Sequence, residues 1–351
     1  MSTLLTCDVY VFGDIIKLLS YDEIMLLHAL CKNMNSMIEK IIYQSTKVRG
    51  CWSCVQDFTH KYPNVREISL SCCNDTPERD GTYCFPDIIE KIYVDDQTDE
   101  SISMPLPKQL KVFHTGGLFL DKIECPTLEE FVCSSGGSPP PYFFDDLPNL
   151  KIFVGDECTD EKLAKEIYKS PLEVLSYMKV RDSTIKKMNT IKLKYLECNR
   201  LDGSCFEKLK ALEHLIFLPK KEFDAKQFSY LCNLKSLEIR IPDSYSHTPR
   251  RNITEVLKYA PISLEYLTVD YVFITRLKKQ QRIVLAEFIA SHFINLKYIR
   301  IYHDENKKII KFLRHLIELN PKISTSLIPH NFLNDIIKNP HGFLSICIHN
   351  L

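Results

Sequence analysis

The chain has 351 residues, of which 45 are basic and 45 acidic, so its formal net charge is zero. That balance argues against a nonspecific grip on nucleic acid, which needs a basic face to release counterions, and leaves only a local basic patch such as Arg276, Lys278, Lys279 and Arg282. An apolar fraction of 45% is enough for a large buried core, yet no stretch reaches the ~18 uncharged apolar residues that a bilayer span requires.

The opening "MSTLLTCDVYVFGD" has no cationic flank, apolar core and cleavage site in series, so no secretory signal is read there. The expected location is cytoplasmic or nuclear. In that reducing setting the 14 cysteines are expected as buried thiols that pack like small hydrophobes.

Residues 7–46 have helical spacing. Ile15, Ile16 and Leu19 share one face, followed by Ile24, Leu27 and Leu30, then Met34, Met37, Ile38 and Ile41. Ser20 with Glu23 three residues on is a capping-box pair, and the stretch predicts three short helices. It resembles an F-box, with Val11-Phe12, Ile15-Ile16, Leu19-Ser20, Glu23-Ile24, Leu30-Cys31-Lys32 and Met37-Ile38 in that motif's register. Cys7-Asp8 stands where the motif opens with Leu-Pro, and Met34 where it has Trp. The resemblance implies docking on the small adaptor subunit of a cullin–RING ubiquitin ligase, through Val9, Val11, Phe12, Ile15, Ile16, Leu19 and Met34. A plain helical cap over the first repeat is the other reading of the same spacing.

Residues 49–64 are expected to be a connector, with no strand before Cys51. "CWSC" at 51–54 has the spacing of a thiol redox pair, but without a preceding strand it lacks the βαβ setting that such motifs use. A zinc site from Cys51, Cys54, Cys72, Cys73 and Cys84 would need a second C-x-x-C, which the chain does not have. Neither a metal nor any other cofactor is expected.

From residue 65 a phrase recurs: "NLKIFVGDE", "NLKSLEIRI" and "NLKYIRIYH" share Leu-x-x-apolar-x-(apolar or small). The frame begins at Val65, Ile89, Leu110, Leu128, Leu150, Leu172, Leu193, Leu212, Leu234, Leu264 and Leu296, in steps of 18 to 32 residues. Its period and pattern resemble the leucine-rich repeat. The resemblance implies an α/β solenoid, a horseshoe with a parallel inner sheet of eleven strands. Alternate side chains of a strand leave by opposite faces, so positions one, four and six of each frame should point into a core that closes only by stacking. The family's Asn or Cys at the ninth position survives only at Cys73 and Cys158, which predicts that the turns find other hydrogen-bond partners.

Short steps leave room for a turn or two of return helix. The long last steps predict a helix in "RLKKQQRIVLAEFIASHF", with Leu277, Val284, Leu285, Phe288 and Ile289 on its apolar stripe. "NKKIIKFLRHLIELNP" predicts another helix and "GFLSICIHN" a terminal strand. The boundaries read as a helical module at 1–48, the connector at 49–64, the array at 65–304 and a cap at 305–351.

If the frame holds, positions three, five and seven line the concave wall. An apolar centre there, rimmed by tyrosines and charges, suits a protein partner. Val132, Val154, Val174, Tyr195, Ile216, Leu218, Tyr266 and Arg300 are the candidate contacts. No histidine lies in a triad spacing, and Gly136-Gly137 lacks the Lys-Ser/Thr of a phosphate loop, so no catalysis is expected. The resemblances imply a ligase substrate-recognition subunit that binds adaptor and target protein; a repeat scaffold without a ubiquitin role is the alternative. Neither nucleic acid nor membrane is an expected partner.

Overall fold

The computed structural model describes residues 19, 23, 26, 47–70, 84–94, 105–115, 125–133, 147–155, 170–177, 180–220, 223–240, 253–302 and 307–328. Of the expected F-box helices only Leu19, Glu23 and Leu26 are among these residues, and the "GFLSICIHN" strand lies outside them. The chain divides into two units, Met1–Leu150 and Lys151–Leu351.

In the first unit, strands β1 (Lys47–Gly50), β2 (Glu67–Leu70), β3 (Lys91–Val94), β4 (Val112–Thr115) and β5 (Glu130–Cys133) pair in parallel, each with its neighbour in sequence. The frame sets the register. Ile68 lies opposite Ile92, Ile92 opposite Phe113, and Phe113 opposite Phe131, all from fourth positions. These four side chains and the first-position Val65, Ile89, Leu110 and Leu128 are at most 1% exposed.

The second unit repeats the arrangement with β6 (Ile152–Gly155), β7 (Val174–Tyr177), β8 (Tyr195–Leu201), β9 (His214–Pro219), β10 (Ser236–Ile239), β11 (Tyr266–Asp270), β12 (Tyr298–Tyr302) and β13 (Ser324–Ile328). Fourth positions again face each other from Phe153 through Leu175, Leu196, Leu215, Leu237 and Leu267 to Ile299. Each unit is an α/β solenoid of the leucine-rich-repeat kind.

Two expectations about the ends change. "KVRG" is a strand, β1, pairing with β2, and Trp52–Lys61 is a helix that follows it, so residues 49–64 form a strand–helix unit rather than a bare connector. Two charged residues in four had hidden the strand, but Val48 supplies the one inward side chain needed, opposite Ile68. At the other end β13 adds a strand beside β12, following the helix Lys307–Leu319.

The hydrogen bonds at the start of each strand explain why the rungs stack in step. The carbonyl of a frame's second residue accepts two backbone N–H groups from the next rung. Arg66 O takes Glu90 N (2.7 Å) and Lys91 N (3.0 Å); Lys235 O takes Glu265 N (2.7 Å) and Tyr266 N (2.9 Å). The turn before each strand closes with a bond three residues back, as in Leu234 N to Leu231 O at 3.1 Å. Side-chain cross-links also appear, one residue before the frame rather than at its ninth position. Asn149 Nδ2 donates to Pro126 O at 2.8 Å, Asn233 Nδ2 to Lys210 O at 2.8 Å, and Ser263 Oγ to Leu234 O at 2.9 Å.

A second ladder runs along the frames' second positions: Arg66, Glu90, Lys111, Glu129, Lys151, Glu173, Lys194, Glu213, Lys235, Glu265 and Lys297. The sign alternates without a break. Lys111 pairs with Glu90 (2.9 Å), Lys194 with Glu173 (3.7 Å), Lys235 with Glu213 (2.5 Å) and Lys297 with Glu265 (2.6 Å). The Lys235 ammonium holds the Glu213 carboxyl below its usual range.

Return segments scale with the step between frames. The 19-residue step from Leu193 to Leu212 holds only the 3-10 turn Phe206–Lys208, whereas the 32-residue step before Leu296 holds Lys279–His292. That last helix is where expected, but it buries Leu285, Ala286 and Ile289 while Val284 is 47% exposed, so the apolar stripe is narrower than the spacing suggested. In Lys307–Leu319, Ile309, Phe312, Leu313 and Leu316 face inward with the spacing of an amphipathic helix. Phe206, Phe217, Phe223 and Phe228 form one aromatic cluster with ring centroids 5.2 to 6.1 Å apart. Gly155 occupies a sixth position because a Cβ there would come within 2.9 Å of the Phe153 ring. Among the described residues no helix is long and apolar enough to cross a membrane.

The two ladders differ in strength. Leu237→Ala, in the fully buried row, should cost about 2–5 kcal/mol of unfolding free energy. Lys235→Glu, which sets three acids side by side, should lower the melting temperature by less, and 1 M NaCl should cancel that loss because the charges are solvent-exposed. Thermal melts at two salt concentrations separate the two.

Candidate interaction face

With positions one, four and six committed to the core, positions three, five and seven emerge on the other face of each sheet. In the first unit that face carries a polar row. Glu67 pairs with Lys47 at 2.8 Å and with Lys91 at 3.8 Å. The His114 ring meets Tyr93 edge-on at 4.8 Å, and its Nε2 lies 2.7 Å from Glu130 Oε1. Burial, with the charges of Glu67 and Glu130 behind it, pushes the Tyr93 phenol up to about 12. The candidate Val132 is on this face but only 1% exposed.

In the second unit a network crosses four strands. Glu197 on β8 accepts Ser176 Oγ (2.6 Å) from β7, Tyr195 Oη (3.3 Å) from its own strand, and an Arg240 guanidinium N–H (2.6 Å) from the residue after β10. Arg240 Nε donates to Glu238. Glu197 and Arg240 keep under a fifth of their side-chain surface exposed, and Glu238 still less, so the Arg240 cation is satisfied within the chain by two carboxylates. Burial also pushes the neighbouring His214 imidazole below its usual range.

The candidate contacts divide sharply by exposure. Val154, Val174, Tyr195, Ile216 and Leu218 lie on the expected face of the second unit, but none is more than 9% exposed. Tyr266 is 45% exposed, and Tyr298 and Arg300 are half-buried. The accessible part of this face is therefore polar and aromatic, towards β11 and β12. Of the candidate adaptor contacts, Leu19 alone is among the described residues, half-buried in a bend; Val9, Val11, Phe12, Ile15, Ile16 and Met34 lie outside them.

Cys51 stands at the N-cap of the helix Trp52–Lys61 directly after a strand, so "CWSC" does occupy a strand–helix setting, contrary to expectation. The Cys51 residue is 6% exposed, which shields its thiol from exchange with a partner. Burial raises the Cys125, Cys198 and Cys205 thiols, keeping them protonated and packed as small apolar groups. Among the described residues no cluster of three or more His, Cys, Asp or Glu could hold a metal ion.

No family model matches the chain, and no curated protein sequence matches it. Among solved structures, an internalin from Listeria monocytogenes strain 4b F2365 aligns at 12% identity and a TM-score of 0.44, over 82% of this chain and 88% of that one.

The raised Tyr93 pKa means that the fold favours the neutral phenol. Its contribution to stability is fully present below pH 10 and is lost as pH rises towards 12. Denaturant unfolding from pH 9 to 12 should show wild type losing stability relative to Tyr93→Phe across that window. Parallel curves for the two proteins would count against the assignment.

Proposed function

We propose that the chain is a non-catalytic protein-interaction scaffold that holds its partner on the open face of the second unit around Tyr266, Tyr298 and Arg300. One observation carries this reading. Tyr266 and Tyr298 sit side by side in register on β11 and β12, outside the core, with Arg300 one inward–outward period further along. Tyrosine and arginine are the side chains that most often dominate binding energy at protein interfaces. Val154, Val174, Tyr195, Ile216 and Leu218, on the same face of the second unit, and Val132 in the first unit are each at most 9% exposed, too buried to serve as contacts themselves. A charge placed there, as in Val154→Asp, is expected to unfold the unit before it reports on binding.

The narrower reading, a substrate-recognition subunit of a cullin–RING ubiquitin ligase, is supported by the register of residues 7–46 alone. It requires the full-length chain to co-purify with the adaptor subunit at micromolar concentration. Absence of that complex ends the ligase reading and leaves the scaffold reading standing.

The scaffold reading is tested by affinity capture with quantitative mass spectrometry, comparing wild type with Tyr266→Ala/Tyr298→Ala. Losing hot-spot tyrosines costs about 2 kcal/mol or more each, so capture of a defined protein set should fall at least ~30-fold at an unchanged melting temperature. An identical captured set from both proteins would remove the face from consideration.

A further inference from the structure

The second unit treats two arginines on the same face differently. Arg240 is matched by Glu238 at its Nε and Glu197 at its terminal nitrogen. Arg300 has neither. Its Nε is shut off from solvent without a hydrogen-bond acceptor, and its guanidinium carbon stands 5.5 Å from the centroid of the Tyr298 ring. In register on β11 it faces Thr268, a hydroxyl rather than a carboxylate. The nearest acid in sequence register, Asp270, is 7% exposed and accepts Val272 N at 2.8 Å as the cap of the helix Tyr271–Thr275.

We propose that Arg300 anchors a carboxylate of the protein partner, an acidic side chain seated between Tyr266 and Tyr298. This rests on the scaffold reading and names the chemistry that its face selects. A guanidinium offers a planar fork that a carboxylate fills with two parallel bonds. An arginine needed only to brace the fold would be paired within the chain, as Arg240 is. The ring of Tyr298 holds the side chain in place without consuming its hydrogen-bond donors. Adjacent strands are ~4.8 Å apart and alternate side chains ~7 Å apart along a strand. Tyr266, Thr268, Tyr298 and Arg300 therefore outline a patch the size of one acidic side chain, with hydroxyls at its edge. The nearest carboxylates among the described residues of this face, Glu238 and Asp270, are 4% and 7% exposed and already bonded to Arg240 and to Val272 N. Charge complementarity thus favours an acidic segment over a second copy of this chain, whose exposed second-position charges alternate in sign.

The test is selection of random dodecapeptides displayed on phage against the full-length chain. Wild type should enrich Asp and Glu over the unselected library. A resynthesised winner should bind about tenfold more weakly to Arg300→Gln, with partial recovery in Arg300→Lys, which keeps the charge and loses the fork. Heat unfolding supplies the second readout, because a bracing role for Arg300 predicts a lower midpoint for Arg300→Gln and the binding role predicts no loss. Winners without acidic bias, or equal binding to wild type and Arg300→Gln, overturn the carboxylate assignment and leave the scaffold reading intact. A library that yields no binder, together with capture unchanged by Tyr266→Ala/Tyr298→Ala, overturns both.

Discussion

The stacking of the rungs depends on one carbonyl oxygen accepting two backbone N–H groups from the rung that follows. That shared acceptor recurs at Arg66, Glu90 and Lys111 in the first unit, and at Lys151, Glu173, Lys194, Glu213, Lys235 and Glu265 in the second. It ties the second position of one frame to the second and third of the next. The first and fourth positions then have to align, and a continuous apolar column results within each unit. A strand of four residues could not hold its place alone. Here it needs only its neighbours, and each neighbour presents the same edge.

How much of this was legible follows from where the information lies. The eleven frames were readable because Leu, Ile, Val or Phe at positions one and four is a requirement of stacking, and each of these side chains is at most 3% exposed. The strand Lys47–Gly50 was not readable, since "KVRG" offers a single apolar residue and matches no six-residue template. Likewise Ser324–Ile328 begins Ser-Thr-Ser, with Thr325 where the earlier frames have Leu, Ile or Phe. The cross-rung side chains were sought at the ninth position, but Asn149, Asn233 and Asn295 stand just before the frame, in the very "NL" that opened the repeated phrase.

The candidate face was legible in outline and misjudged in depth. Periodicity says which side of a strand a residue takes, not how far its side chain rises above its neighbours. Val154 and Tyr195 lie on the face that periodicity assigned, yet are 6% and 2% exposed. The Glu197–Arg240 pair spans 43 positions in sequence, so only the stacked rungs bring it together. What distinguishes Arg300 from Arg240 is the company that folding provides, and composition does not record it.

The unbroken alternation of sign along the second positions has a bearing on how such a chain can lengthen or shorten. Excising one rung from the interior of either unit would bring two like charges into contact, while excising two would restore the original order. Growth or loss in twos is thus tolerated electrostatically and growth by one is not. The array has a built-in parity, carried by its exposed rim rather than by its core.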